Sequence, residues 1–318
     1  MKRIFSLLLC VSMVLLCACG AAPQNTQTGE TTGSTQETID PNTPLSDGKT
    51  LKLLAITSSF GLNTTQFLYD IAVAEGCTDV VVGRLYASGC TLEKHVAWSK
   101  DSTPGYTYTK NSTGQWETVE AANLKYGLQD EDWDIIFIQQ SAAKAPLVDS
   151  YQDYIDQLME FVQANKTNPN ARFVWNMTWA YQGDSDQAVF TDTFKSDQMA
   201  MYNAIVEATK EKVLPRTDFA AIIPTGTAIQ NARTSYFGDT LTKDTYHLNN
   251  LGRAIAGYTM YAVLTGQELT QINLGEVNSY DIKGSLILSD SDKQVIIEAV
   301  NAAIREPHQV TQSSYTEG

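Results

Sequence analysis

Short apolar runs recur through this chain, each separated from the next by a stretch long enough to hold a helix, and that rhythm leaves few folds open. The runs are LKLLAI at 51–56, DVVVGRL at 79–85, DIIFIQ at 134–139, RFVWNM at 172–177 and AAIIP at 220–224. Each is apolar on both faces, as a strand covered on both sides must be. Between and after them the 3.6-residue period predicts helices over 64–75, 92–99, 151–164, 196–211, 250–264 and 292–305. In the first, Phe67, Leu68, Ile71 and Ala72 share one stripe. Strands alternating with helices predict an α/β fold, a central parallel sheet with helices on both sides. Residues 100–130 break the rhythm. Tyr106-Thr-Tyr-Thr and Trp116-Glu-Thr-Val flank Asn111-Ser-Thr-Gly114 and read as an inserted hairpin. In such sheets ligands bind beyond the carboxyl ends of the strands, so the loops there are where chemistry is sought.

The ends of the chain read differently. Lys2 and Arg3 precede an apolar run from Ile4 to Leu16 that is short for a transmembrane helix and has the form of a secretory signal. It closes on Leu16-Cys17-Ala18-Cys19-Gly20, which resembles a bacterial lipobox and implies lipidation at Cys19. The expected organisation is a signal peptide at 1–18, a flexible polar tether at 19–49, a globular domain at 50–305 and a flexible tail at 306–318. The location it implies is extracytoplasmic, on the bacterial cell membrane through the lipid. A net charge of −14 argues against nucleic acid as a partner and against polybasic attachment to anionic lipid. Cys77 and Cys90 remain in the domain, where two independent buried thiols are the plainer reading and a bridge is chemically permitted. The three histidines are not paired with Cys or His at ligand spacing, so no metal site is expected.

Two loops carry candidate chemistry. Thr57-Ser58-Ser59-Phe60-Gly61 follows the first strand, where a serine stands near backbone N–H groups at a helix start. Asp244-Thr-Tyr-His247 precedes a late helix, and His247 alone among the histidines has an acid at minus three. A serine nucleophile needs a base, and the base needs an acceptor that fixes its tautomer. Either feature alone is common, as a helix cap or a surface ion pair. Together they narrow the reading to nucleophilic catalysis.

At these residues the chain resembles the SGNH (GDSL-type) hydrolases, and its finer pattern is closer to a bacterial SGNH-like lipoprotein branch. The matching stretches are LLAITSSF, LYASGCTLEKH, DIIFIQQSA, WNMTWAYQ, IIPTGTAIQNAR and LTKDTYHLNNLGR, spanning about 51–258. The resemblance implies a flavodoxin-like, Rossmann-like three-layer α/β/α fold, with Ser59 as nucleophile, His247 as base and Asp244 as its orienting acid. It makes Gly89 the oxyanion glycine, with the N–H of Ser59 as a second donor. Two departures stand out: Thr57-Ser58 replaces the usual Gly-Asp, which leaves Ser58 as the alternative nucleophile, and no asparagine lies near 141–144. Gln140 is expected to supply the missing amide donor, with Gln139 as the alternative. Trp179 and Tyr181 are expected as an apolar wall beside the substrate. The implied function is a cofactor-free serine esterase with a small-molecule or glycan ester as substrate, O-acetylated carbohydrate foremost. A lipid or phospholipid esterase and a non-catalytic binding lipoprotein are the rival expectations.

Overall fold

The computed structural model describes residues 44–317, so the expected signal peptide, Cys19 and the tether as far as residue 43 lie outside the described residues. Among the described residues one seven-stranded sheet forms, from β1 (Thr50–Thr57), β2 (Asp79–Tyr86), β3 (Tyr106–Asn111), β4 (Trp116–Ala122), β5 (Ile135–Ile138), β6 (Arg172–Asn176) and β7 (Phe219–Ile223). Their order is β4-β3-β2-β1-β5-β6-β7. β2, β1, β5, β6 and β7 run parallel, whereas β3 and β4 are the expected hairpin, added antiparallel at the β2 edge. This is a Rossmann-like three-layer α/β/α fold.

Alternation along each strand divides the core in two. Leu53, Ala55 and Val82 pack on one face with α1 (Ser59–Thr65), α2 (Leu68–Ala74), α6 (Gln198–Lys212), α7 (Thr225–Arg233), α8 (Asn250–Thr265) and α9 (Asp290–Arg305). Leu54, Ile56 and Leu85 pack on the other with α3 (Leu92–Asp101), α4 (Leu124–Gln129) and α5 (Tyr154–Asn165). β1 is therefore enclosed on both faces and flanked by β2 and β5, which makes its carboxyl end a rigid mount.

Three expectations are corrected. The single helix at 64–75 is two helices, and the first begins at Ser59 because the chain turns directly off β1. Gly61 permits that turn, since a Cβ there would meet Thr57 Oγ1 at 1.8 Å. The chain from Pro44 to Lys49 belongs to the fold and not to a flexible tether: Ser46 N–H donates to Leu264 O, and Arg172 donates to Pro44 O. Nor is the segment after Glu306 a loose tail. Thr311 N–H donates to Asn231 Oδ1, Ser313 N–H to Thr234 Oγ1, and Tyr236 N–H to Tyr315 O. Side chains of Asn231 on α7, Thr234 just beyond it and Glu298 on α9 accept from a backbone that has no regular structure of its own.

Candidate active site

The strand register brings the site together. Thr57 pairs with Tyr86 and Ile56 with Ile138, so β1, β2 and β5 end side by side. Ser59 lies two residues beyond Thr57, Gly89 three beyond Tyr86, and Gln139 one beyond Ile138. The remaining partner arrives from far along the chain, in the loop that leads into α8.

Ser59 Oγ lies 2.9 Å from His247 Nε2, and His247 Nδ1 lies 2.8 Å from Asp244 Oδ2. The carboxylate accepts from Nδ1–H, which leaves Nε2 free to accept the Ser59 hydroxyl proton. Asp244 also accepts the His247 backbone N–H at 2.8 Å through Oδ1. Burial pushes the Asp244 carboxyl up, but the bonds from the His247 ring and backbone, with the charge of Lys243, outweigh it and hold the group below the usual carboxylate range. The His247 side chain is 18% exposed, so the imidazole is enclosed yet reachable.

Several contacts fix this loop. Leu248 N–H donates to Asn63 Oδ1 at 2.8 Å, tying the histidine loop to the serine helix. Trp179 Nε1–H donates to Tyr246 O, and the Tyr246 ring lies 4.1 Å from the His247 ring. Thr245, a β-branched residue, takes φ +71°. That conformation is costly for such a side chain and persists because its neighbours impose it. Thr245 O accepts from Gln182 N–H, and its hydroxyl donates to Ser185 Oγ.

Ser59 and Ser58 are clearly told apart. Ser58 is the N-cap of α1, 2% exposed, and its hydroxyl accepts from Gln139 Nε2 at 3.4 Å. Gln139 Oε1 in turn accepts from Asn176 Nδ2 at 3.0 Å, and Asn176 Oδ1 from Thr225 Oγ1 at 2.6 Å. A buried polar chain thus crosses the carboxyl ends of β1, β5, β6 and β7. Sequence reasoning missed Asn63, Asn176 and Thr225. The available signal was a polar amide ending an apolar strand in Asn176, as in Gln139.

Two site expectations fail. Gln140 points away from Ser59: its Oε1 accepts from Leu92 N–H and Ser141 N–H, and its Nε2 donates to Ser150 O and Oγ. Successive side chains leaving a strand diverge, and Gln139 takes the inward direction. Trp179 and Tyr181 form no open wall, being 0% and 2% exposed. Trp179 stacks on Phe60 at 4.0 Å and, through its bond to Tyr246 O, supports the His247 loop. Gly89 is exposed at φ +58°, in the turn that Cys90 N–H closes onto Ala87 O.

A Cys/His contact lies nearby, between the turn after Gly89 and α3. Cys90 Sγ is 3.5 Å from His95 Nδ1, which also meets Tyr106 OH at 2.7 Å. Burial pushes the thiol up to about 12 and the imidazole down to about 3, so neither acquires charge near neutrality. Cys77 and Cys90 are both free and buried. Among the described residues no group of three or more His, Cys, Asp or Glu could hold a metal ion, and no helix is long and apolar enough to cross a membrane.

The family model "Domain of unknown function (DUF4886)" matches residues 52–281, and the chain belongs to that family. It is similar, at 31% identity and TM-score 0.75, to the 1.50 Å crystal structure of a DUF4886 family protein from Bacteroides uniformis, over 85% of this chain and 100% of that one. A protein from Parabacteroides merdae described as a GDSL-like lipase aligns at 10% identity and TM-score 0.41, over 69% of this chain and 97% of that one, a likeness at which neither fold nor function transfers. No curated protein matches the chain.

Proposed function

We propose that this member of the DUF4886 family is a serine ester hydrolase related to the SGNH hydrolases and working through an acyl-enzyme. The observation that carries the reading is the continuous relay Ser59 Oγ–His247 Nε2/Nδ1–Asp244, with contacts of 2.9 and 2.8 Å. In the first half-reaction His247 Nε2 takes the Ser59 proton as Oγ attacks the ester carbonyl carbon. The carbonyl π electrons move onto oxygen, then return as the bond to the alcohol oxygen breaks, and His247 protonates that leaving oxygen. In the second half-reaction His247 takes a proton from water, the hydroxide displaces Ser59 from the acyl carbon, and the proton returns to Oγ.

The developing oxyanion needs donors already in place. Two backbone groups are the candidates: the N–H of Ser59, which as the first residue of α1 has no partner within its helix, and that of Gly89. Gln139 holds Ser58 and so sets the turn that presents Ser59. The reading retains an ester of O-acylated carbohydrate as the leading substrate and, from the sequence, attachment outside the cytoplasm through Cys19.

Turnover of p-nitrophenyl acetate tests it. Ser59→Ala and His247→Ala should each lower kcat by about 10³-fold or more, and the double variant should be little worse than either, because the two act as one unit. Full activity in Ser59→Ala, or additive losses in the double variant, would overturn the mechanism.

A further inference from the structure

A cavity of about 550 Å³ opens at the same end of the sheet, between the segment that follows Gly89 and the segment that follows β5. Its volume is that of a site for a small organic ligand, which spans roughly 300–1,000 Å³. It begins at Thr91, two residues beyond Gly89, and its far wall runs from Lys144 to Tyr154. Gln140 holds the two walls together, accepting from Leu92 N–H on one and donating to Ser150 on the other. The preceding residue, Gln139, touches Ser58. Two adjacent residues at the end of β5 thus reach the cavity walls and the Ser58–Ser59 turn.

Its lining has a definite chemistry. Glu93, Lys144, Asp149, Gln152 and Tyr154 contribute charged, amide and phenolic groups over a floor that includes Leu147. The side chains of Lys144, Asp149 and Gln152 make no hydrogen bond to another described residue. Tyr154 is half-buried and lines the same wall as Gln152. Gln152 takes φ +40°, a conformation that a residue with a Cβ adopts at a cost. The two carboxylates against one ammonium leave the cavity with an excess of one negative charge, which repels a phosphate headgroup. Acceptors, donors and an aromatic face together suit vicinal hydroxyls and the C–H faces of a sugar ring.

We infer that this cavity is the leaving-group subsite, binding the neutral polyhydroxylated alcohol of the ester, a pyranose, through Asp149, Gln152, Lys144 and the face of Tyr154. The inference rests on the ester-hydrolase reading and adds to it where the alcohol sits and which side chains recognise it. On release, the alcohol that has taken its proton from His247 departs by way of this cavity.

The test compares the full chain with Asp149→Ala, Gln152→Ala and Tyr154→Ala on two substrates, a mono-O-acetylated methyl glucopyranoside and p-nitrophenyl acetate. Each variant should lower kcat/KM for the glycoside relative to that for p-nitrophenyl acetate by about tenfold, the usual effect of losing a hydrogen bond or a stacking face in a binding site. Parallel changes on both substrates, or no change on either, would overturn the subsite. So would a preference of the wild type for dihexanoyl phosphatidylcholine over the glycoside. Binding of the glycoside to Ser59→Ala, followed by calorimetry with and without Asp149→Ala, separates the two proposals. Binding that weakens about tenfold in Asp149→Ala supports the subsite even where wild-type turnover is absent and the hydrolase reading falls. Equal binding, or none, overturns the subsite.

Discussion

At the end of β5 two adjacent glutamines part company. Gln139 turns toward Ser58 and is joined through Asn176 to Thr225, whereas Gln140 turns toward α3 and the segment around Ser150. Replacement of Gln139 by Ala should therefore act on the reaction, lowering kcat by about tenfold through the misplaced Ser58–Ser59 turn. Replacement of Gln140 by Ala should act on the fold, costing about 1–3 kcal/mol because buried N–H groups of Leu92 and Ser141 lose their acceptor. Kinetics and denaturant melts of the two variants check this pair; the reverse assignment would return the donor role to Gln140. Ser59, Asp244 and His247 were legible because a relay needs three residue types in defined local settings. The direction of a side chain leaving a strand was not, since a pattern of polar residues does not say which of two neighbours faces inward.

Among the elements, α8 carries the histidine loop at its head, and a charge cluster anchors it. Arg253, 1% exposed, donates from both terminal nitrogens to Asp281 at 2.6 and 2.7 Å, and Lys243 donates to the same carboxylate at 2.6 Å. The Arg253 bonds, reinforced by Lys243 against the opposing effect of burial, hold the Asp281 carboxyl far below the usual carboxylate range. A carboxyl depressed on folding stabilises above its unfolded pKa, about 3.9, and loses that contribution as the pH falls through the folded value. Asp281→Asn should thus cost about 2–3 kcal/mol near pH 7, a cost that shrinks below about pH 4. A pH-independent difference between wild type and variant in urea melts would contradict it. The parallel strands were legible because burial on both faces leaves unbroken apolar runs. α7 was not, because Thr225, Thr227, Gln230, Asn231 and Arg233 are buried in it along with the apolar residues. Hydrogen bonds satisfy these polar groups beside Ala228, Ile229 and Ala232 in the core, so burial along this helix does not follow the apolar residues alone.

For the molecule as a whole, the sheet turns a remote sequence relation into a local one, closing Ser59 on His247 across 188 residues. The docked segment after Glu306 belongs to the same construction: it binds α7 and α9, and Ser313 and Ser314 donate to Glu298. Its polar composition reads as flexible because sequence shows what a segment can bury and not which side chains elsewhere await its backbone. Under the proposed function this assembly makes Ser59, and no neighbouring hydroxyl, the nucleophile. Labelling of the full chain with a fluorophosphonate, with the adduct placed by peptide fragmentation, tests it most directly. One phosphonylated residue, Ser59, is expected, with labelling lost in Ser59→Ala and slowed by about 10³-fold or more in His247→Ala. An adduct on Ser58, or none at saturating probe, would contradict it.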